Sequence, residues 1–220
     1  MSQNILYTVD LKKFYSEVSL FGNELSKAEA ERAARFVRES DARAYTISHC
    51  VLRRVLGDYL NGTSGTLQIA ADTHGKPYLV DHQDNVHFNL SHSGDYAVIA
   101  ISDGGPVGVD IEQHSDRGHE RLAIAARFFT PQEYRYIKCQ QGQQQLEAFY
   151  EIWTAKEAYV KAIGRGLAYG LDKFSVIDDE KITKSVDNWS LQHIDVEVGY
   201  STALVVPSKL SDDVFIVRGY

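Results

Sequence analysis

The chain reads Phe149-Tyr-Glu-Ile-Trp-Thr-Ala-Lys-Glu-Ala-Tyr-Val-Lys-Ala-Ile-Gly-Arg-Gly-Leu167 in the stretch from which its fold can best be predicted. The apolar residues of this stretch recur at helical spacing, at Phe149, Ile152, Ala155, Tyr159 and Ile163. Gly164 and Gly166 follow them as a stop signal. The pattern therefore predicts an amphipathic helix whose apolar face packs on the rest of the fold.

One ridge of this helix carries Trp153, Glu157 and Lys161 at successive steps of four residues. Residues four apart are neighbours on a helix, so an aromatic ring, a carboxylate and an ammonium group lie in a row. Taken alone, Glu157 and Lys161 are most simply a surface ion pair, which is worth about 0.2–0.5 kcal/mol. A second stretch changes this interpretation.

The second stretch, Val107-Gly-Val-Asp-Ile-Glu112, alternates strictly and predicts a strand. Its valines and isoleucine share one face, while Asp110 and Glu112 point to the other, about 7 Å apart along the strand. Such carboxylates repel each other unless a cation lies between them, and Mg²⁺ commonly takes two carboxylates together with water and substrate phosphate. A half-buried strand with a solvated polar face explains the pattern equally well.

The two stretches together resemble a known family. Gly108-Val-Asp-Ile-Glu112, followed by Trp153-Thr-Ala-Lys-Glu-Ala-Tyr-Val-Lys161, resembles the paired signature of the 4′-phosphopantetheinyl transferases, and in particular their longer, Sfp-type members. The order and separation of the segments make the match specific, and the resemblance extends over residues 27 to 175. It implies an α+β fold of two similar α/β halves about a pseudo-twofold axis, each with an antiparallel sheet packed against helices.

The rest of the chain supplies elements for both halves. The N-terminal half, predicted at residues 1–105, has helix signals from Ser26 and from Asp41 to Leu60, and strand signals at 5–11, 77–80 and 86–101. The C-terminal half, predicted at 106–220, adds a capped helix from Thr130 and strand signals at 174–177, 189–192, 203–206 and 214–217. In the family, coenzyme A lies in the cleft between the halves.

A basic region precedes the first motif. Seven basic and four acidic side chains lie between Lys27 and Arg54, which suits either a phosphate-binding patch or a solvated helix face. In the family, basic residues here contact the 3′-phosphate and nearby parts of coenzyme A. The resemblance therefore implies that Arg32 and Arg43 bind the coenzyme. Arg43 follows Asp41-Ala42 directly, one residue earlier than the arginine of many members.

Two further segments match coenzyme-binding motifs of the family. These are Gly75-Lys76-Pro77 and Asn89-Leu-Ser-His-Ser93, and they imply that Lys76, Ser91 and His92 contact the coenzyme. Hydroxyl and imidazole groups at the end of a strand are suitable phosphate partners. Polar hairpin residues that satisfy their own turn are the simpler alternative. A hydrolytic triad is disfavoured because the sequence has no Gly-x-Ser-x-Gly elbow.

The resemblance also implies a reaction. The 4′-phosphopantetheine arm of coenzyme A passes to a serine of an apo acyl or peptidyl carrier protein, and 3′,5′-ADP is released. Asp110, Glu112 and Glu157 hold Mg²⁺, which ligand hardness favours over Mn²⁺. Glu157 or a metal-bound water takes the serine proton, Lys161 stabilises the leaving phosphate or the pyrophosphate, and Lys156 contacts the coenzyme. The carrier and its pathway, whether fatty-acid, polyketide or nonribosomal-peptide synthesis, stay open.

Composition narrows the choice of partners and location. The net charge of −7 argues against a nucleic-acid binder, and the two cysteines have no metal-site or disulfide pattern. No apolar run approaches the length of a membrane span, and the N-terminus lacks a signal-peptide pattern. We therefore predict a cytoplasmic protein without nucleic-acid or membrane partners. Because its N-terminal half would supply its own second subunit, we also predict a monomer.

Two other functions use the same residues. A Mg²⁺-dependent phosphohydrolase would use the three carboxylates with water as the nucleophile, and it would need no carrier protein. A non-catalytic module that binds coenzyme A or a nucleotide would need the basic region but not three converging carboxylates. The carboxylates therefore favour an enzyme.

Overall fold

The structure is a computed structural model that describes residues 4–62, 67–82, 85–115, 118–179, 181–210 and 214–219. Its helices are α1 (Val18–Phe21), α2 (Lys27–Ala33), α3 (Glu39–Tyr59), α4 (Gly118–Phe128), α5 (Pro131–Cys139) and α6 (Gly142–Ile163). Its strands are β1 (Asn4–Asp10), β2 (Ile69–Ala71), β3 (Pro77–Leu79), β4 (His87–Ser93), β5 (Tyr96–Ser102), β6 (Gly108–Gln113), β7 (Ile177–Asp178), β8 (Lys181–Ile182), β9 (Ser185–Val186), β10 (Trp189–His193), β11 (Tyr200–Pro207) and β12 (Val214–Arg218). This mixture confirms the predicted α+β class.

The first half consists of a four-stranded sheet covered by α3. Its strand order is β12-β1-β5-β4, and its neighbours are antiparallel except for β1 and β12, which run parallel. The apolar face of α3, with Ile47, Val51 and Val55 fully or almost fully buried, packs on this sheet. The last strand therefore returns from the predicted C-terminal half to the sheet of the N-terminal half, a crossing that strand patterns alone do not reveal.

The second half repeats this arrangement with α6 on the antiparallel sheet β6-β11-β10-β9. The predicted apolar face of α6 is confirmed, because Ile152 and Ala155 are fully buried and Tyr159 nearly so. The helix begins at Gly142, before the predicted stretch, and Gly164 ends it in the left-handed conformation at φ 67°. Each half thus has one long helix on a four-stranded sheet, as the two-half prediction required.

A glycine brings α6 close to β6. A Cβ atom at Gly108 would collide with the carbonyl oxygen of Ala158 and the backbone nitrogen of Ala162. Glycine is the residue that permits such a backbone approach. It sets the last turns of α6, which carry Glu157 and Lys161, directly against the strand that carries Asp110.

The halves meet along β4 and β6, the facing edge strands of the two sheets. We define the seam between them as Asn89, Ser91 and Ser93 of β4 together with residues 109–113 of β6. The side chains of these alternate β4 residues bond to β6. Val109 N donates to Asn89 Oδ1 at 2.8 Å, and Gln113 N donates to Ser93 Oγ at 3.1 Å. Behind the seam, the inner faces of the two sheets share an apolar cluster. The seam therefore fixes β6 against β4, the strand that carries the motif predicted to bind coenzyme.

None of the helices in the described ranges combines the length with the apolar character that crossing a bilayer requires.

Candidate active site

A cavity of about 830 Å³ lies between the two halves. Its walls come from α2, α3, the β2–β3 hairpin, β4 and the end of α6. Five of the residues predicted from the sequence line it: Arg32, Lys76, Ser91, His92 and Lys161. Arg43 and Lys156 are not among its lining residues. This volume is within the range of small-molecule and cofactor sites.

Asp110 lies on β6, and its side chain is almost fully buried. It is bonded to two residues of the cavity wall, Ser91 and Lys161, but Asp110, Glu112 and Glu157 are not themselves among the lining residues. The Oδ1 atom of Asp110 accepts hydrogen bonds from Lys161 Nζ at 2.6 Å and from Ser91 Oγ at 2.8 Å. Lys161 also donates to Ser91 Oγ at 3.1 Å and to Val109 O at 3.2 Å. The second carboxylate oxygen, Oδ2, is buried and has no hydrogen-bond partner. Half of this carboxylate is therefore unsatisfied.

Glu157 and Glu112 complete a group of acidic side chains around Asp110. Burial, followed by the charge of Asp110, raises the pKa of Glu157 to about 7, and its Oε1 atom is buried without a partner. Burial and the charge of Asp110 also raise the pKa of Glu112, whose Oε2 atom accepts from Ser93 Oγ at 2.9 Å. The three carboxylates thus repel one another in a partly dehydrated space.

The predicted Mg²⁺ ligands are Asp110, Glu112 and Glu157. Within the ranges that the structure describes, no three His, Cys, Asp or Glu side chains are placed to hold a metal ion as they stand. Lys161 instead neutralises Asp110. The donor set nevertheless fits a hard divalent cation, because it consists of carboxylate oxygens and those of Asp110 and Glu157 include partnerless atoms.

The ridge of α6 that carries Trp153, Glu157 and Lys161 connects this cavity to a smaller pocket of about 210 Å³. The smaller pocket is lined by Glu112, Ser115, Glu120, Arg121, Ile124, Phe149, Tyr150 and Trp153. The indole of Trp153 favours the charged form of Glu112, and it stacks on Phe149 with ring centroids 6.0 Å apart. Glu157 therefore lies between the large cavity at one end of the ridge and the smaller pocket at the other.

Lys156 lies on the opposite face of α6, away from the cavity. Its side chain is 0% exposed and forms an ion pair with Glu133 at 2.9 Å. It also donates to the carbonyl oxygens of Leu171 at 2.7 Å and Phe174 at 2.6 Å. These bonds use all three donors of the ammonium group. We therefore expect Lys156 to support the helix from behind rather than to contact the coenzyme.

The two predicted arginines lie apart from each other. Arg32 is exposed at the cavity wall, with its guanidinium group 5.6 Å from the ring centre of Tyr45. Arg43 instead lies over the ring of Tyr15, at 4.3 Å. Tyr45 in turn stacks on His49 at 3.7 Å, and burial lowers the pKa of His49 to about 4. The structure thus brings Arg32 to the cavity but not Arg43.

Sequence reasoning missed the aromatic wall that Tyr45 and His49 form in this cavity. Both residues lie on α3, within a run that the helical pattern explains as core. Their spacing of four residues was the available signal, since it places two aromatic rings on one ridge.

Lys76 and His92 both line the cavity, but neither presents a positive charge to it: the ammonium group of Lys76 is bonded elsewhere, and His92 is neutral. Lys76 Nζ donates to three backbone carbonyl oxygens of the C-terminal half. Burial lowers the pKa of His92, and the nearby ammonium group of Lys161 lowers it further. His92 is consequently a neutral donor or acceptor at the pH of most cells.

Comparison with known proteins agrees with these features. The family model described as 4′-phosphopantetheinyl transferase, N-terminal, matches residues 12–103. The model of the 4′-phosphopantetheinyl transferase superfamily matches residues 106–205, which include the acidic strand and α6. The two matches together cover most of the described chain.

Individual relatives carry the same family description. A putative 4′-phosphopantetheinyl transferase of Synechocystis is 37% identical over 161 residues, which are 73% of this chain and 64% of the relative. HetI of Nostoc is 33% identical over 165 residues, covering 74% and 69% of the two chains. Sfp of Bacillus subtilis is 33% identical over 156 residues, covering 71% and 67%. The match thus spans about two thirds of each relative, and the chain belongs to the 4′-phosphopantetheinyl transferase superfamily, as a member of the Sfp type.

Proposed function

We propose that the protein transfers the 4′-phosphopantetheine arm of coenzyme A to a serine of an apo acyl or peptidyl carrier protein and releases 3′,5′-ADP. One observation carries the proposal. Glu157 and Lys161 of α6 lie around Asp110, next to residues that line a cavity built by both halves, and carboxylate oxygens are left there without partners. Family membership and the names of the relatives support the same reaction.

Asp110, Glu112 and Glu157 would hold Mg²⁺ in this reaction. The unsatisfied oxygens of Asp110 and Glu157 support this role, as does the mutual repulsion that raises the pKa of Glu112 and Glu157. When bound, Mg²⁺ would offset the negative charge that gathers on the pyrophosphate as its bond breaks. Ser91 and Ser93 would orient the two β6 carboxylates through their hydroxyl groups.

Glu157, or a water bound to the metal, would take the proton from the carrier serine. In the metal-free protein, burial and the charge of Asp110 raise the pKa of Glu157 to about 7, so its surroundings favour a bound proton or a bound cation on this carboxylate. The serine oxygen would then form a bond to the phosphorus that bears pantetheine, and the bond from that phosphorus to 3′,5′-ADP would break. Lys161 would donate to the leaving phosphate, since its ammonium group lies in the cavity wall. To do so it would release one of its three present acceptors, which are Asp110 Oδ1, Ser91 Oγ and Val109 O.

The coenzyme would occupy the cavity between the halves. Arg32, Ser91 and His92 line the wall that would face its phosphates and ribose. We assign the coenzyme-binding wall to the N-terminal half, residues 1–105, and the catalytic helix and acidic strand to the C-terminal half, residues 106–220, whose last strand, β12, joins the N-terminal sheet. Because both halves of one chain build the cavity, we propose a monomer, and the two free cysteines, Cys50 and Cys139, suit the cytoplasm.

The test is the intact mass of purified apo acyl and peptidyl carrier proteins after incubation with this protein, coenzyme A and Mg²⁺. We expect a gain of one phosphopantetheine per carrier, and we expect chelation or Glu157→Gln to abolish it. Glu151→Gln is the matched control, because Glu151 is also a half-buried glutamate of α6. Consumption of coenzyme A without a mass gain would support the phosphohydrolase, and binding without consumption would support the non-catalytic module.

A further inference from the structure

Lys76 lies at the tip of the β2–β3 hairpin, which forms one wall of the large cavity. The turn is organised by Asp72, whose Oδ1 accepts from His74 N at 2.8 Å and from Lys76 N at 2.9 Å. A third bond, from Asp72 N to Lys76 O, closes the turn at 2.9 Å. The backbone of Lys76 is therefore held firmly, and its side chain leaves the turn in a defined direction.

The ammonium group of Lys76 crosses to the C-terminal half. It donates to the carbonyl oxygen of Lys161 at 2.7 Å, to that of Ala162 at 2.9 Å and to that of Val107 at 3.3 Å. An ammonium group has three donors, so these bonds use its full capacity. A contact with a coenzyme phosphate would require Lys76 to give up at least one of them.

The carbonyl groups that Lys76 meets belong to the elements that carry the site. Those of Lys161 and Ala162 lie in the last turn of α6, where the helix dipole is negative. The carbonyl of Lys161 also accepts from Gly164 N, at the longer distance of 3.3 Å. The third belongs to Val107, which directly precedes β6 and lies three residues before Asp110. One cation thus fixes the hairpin, the end of α6 and the start of β6 to one another.

Packing around the side chain agrees with a fixed position. A Cβ atom at Gly164 would lie 3.4 Å from Lys76 Cδ, and one at Gly166 would lie 3.5 Å from the carbonyl oxygen of His74. The loop that ends α6 therefore sits directly on the hairpin turn. No carboxylate forms an ion pair with Lys76 among the residues that the structure describes, so backbone carbonyls alone receive its hydrogen bonds.

We propose that Lys76 is a positioning residue, a latch that holds the hairpin wall of the cavity against the turn of α6 carrying Lys161. This inference rests on the proposed transferase function, and it changes the role that family resemblance gave Lys76, which was to contact the coenzyme. Through the carbonyl of Lys161, the latch orients the ammonium group that would meet the leaving phosphate.

Hydrogen exchange of the full-length, coenzyme-free protein tests the latch. In Lys76→Met we expect amide exchange in residues 69–79 and 161–166 to accelerate about tenfold, since hydrogen bonds to a charged group are lost. Lys76→Gln should give a smaller acceleration in the same segments and serves if the Met variant does not fold. Lys173→Met, at an exposed lysine of the same half as α6, should leave exchange unchanged.

Transfer kinetics supply the second readout. A latch predicts that Lys76→Met lowers kcat about tenfold while KM for coenzyme A changes less than about threefold. Unchanged exchange in the coenzyme-free variant, together with a raised KM alone, would overturn the latch and restore Lys76 as a coenzyme ligand. If the wild-type protein transfers nothing to any carrier, the proposed function fails, but the exchange comparison still decides whether the latch exists.

Discussion

Helix α6 has ammonium–carboxylate contacts on two faces: the inner face carries Lys156, and the outer face carries Glu157 and Lys161. The two faces differ in how many of their polar atoms have hydrogen-bond partners. On the inner face, Lys156 uses its three donors on Glu133 and two carbonyl groups. Glu133 in turn accepts from Val176 N at 2.8 Å and from Thr130 N at 2.9 Å. On the outer face, Asp110 Oδ2 and Glu157 Oε1 are buried and accept nothing.

The difference separates support of the fold from chemistry. Buried polar atoms in folded proteins are nearly always hydrogen-bonded, so two buried carboxylate oxygens without a protein partner are places where a bound cation or water would be stabilised. The inner face needs no ligand, because its charges already satisfy one another. The same residue types therefore support the structure on one side of the helix and, in our proposal, perform catalysis on the other.

The largest effect on stability is expected at the inner face. Lys156→Met would leave the Glu133 carboxylate buried without its counter-ion, and we expect the free energy of unfolding to fall by about 3–5 kcal/mol. Adding Glu133→Gln to this variant should recover part of the loss. Urea unfolding at pH 7.5 measures both. Lys173→Met is the exposed control, and a loss below about 1 kcal/mol in Lys156→Met would contradict a charge-dependent inner face.

At the outer face we expect a substitution to stabilise the fold rather than to destabilise it, by an amount that depends on pH. The folded-state pKa of Glu157 is about 7, against an ordinary value of 4.5, so between these values the folded state binds more protons than the unfolded state. The contribution of Glu157 to stability is therefore lost as pH rises from 4.5 to about 7, by at most about 3 kcal/mol.

Comparison of wild type with Glu157→Gln isolates the contribution of Glu157 to the free energy of unfolding. In chelator, we expect the two proteins to be equally stable near the low end of that pH range and the variant to be more stable at pH 8. His49 titrates in the same range with the opposite slope, but it is present in both proteins and cancels. A variant that is less stable than wild type at pH 8 would show that Glu157 supports the fold.

The smallest effect is expected at the seam. Ser93→Ala removes the hydroxyl that donates to the Glu112 carboxylate and accepts from Gln113 N, and we expect a loss of about 1–2 kcal/mol in the free energy of unfolding. Ser40→Ala is the matched control, because Ser40 also donates to a carboxylate, that of Asp41, but at an exposed position. Equal losses in the two variants would argue that the seam does not hold Glu112 in place.

Much of this arrangement could be predicted from periodic patterns in the sequence. Helical spacing identified the buried face of α6, and strict alternation placed Asp110 and Glu112 on one side of β6. Periodicity also contained a signal about Lys156, which lies four residues after Ile152 and so falls on the buried face. Its partner Glu133 was beyond such reasoning, because the capping pattern at Thr130 already explained that glutamate.

Other features depend on acceptors or pairings that sequence patterns do not specify. The bonds of Lys76 go to backbone carbonyl groups, which every residue possesses, so no residue type signals them. The alternation in β12 predicts a strand but not the sheet that it joins. Arg43 shows the same limit, since its stacking on Tyr15 joins α3 to the 3-10 helix Leu11–Glu17, far away in the sequence.

The central claim is that the outer face of α6 is completed by a bound cation. Its most direct test is urea unfolding at pH 8 with coenzyme A held constant, with and without Mg²⁺, for wild type, Glu157→Gln and Glu151→Gln. A ligand that binds only the folded state raises its stability, so Mg²⁺ should add about 1–3 kcal/mol to wild type and to Glu151→Gln, and nothing to Glu157→Gln. Equal gains in all three proteins, or no gain in wild type, would contradict the claim.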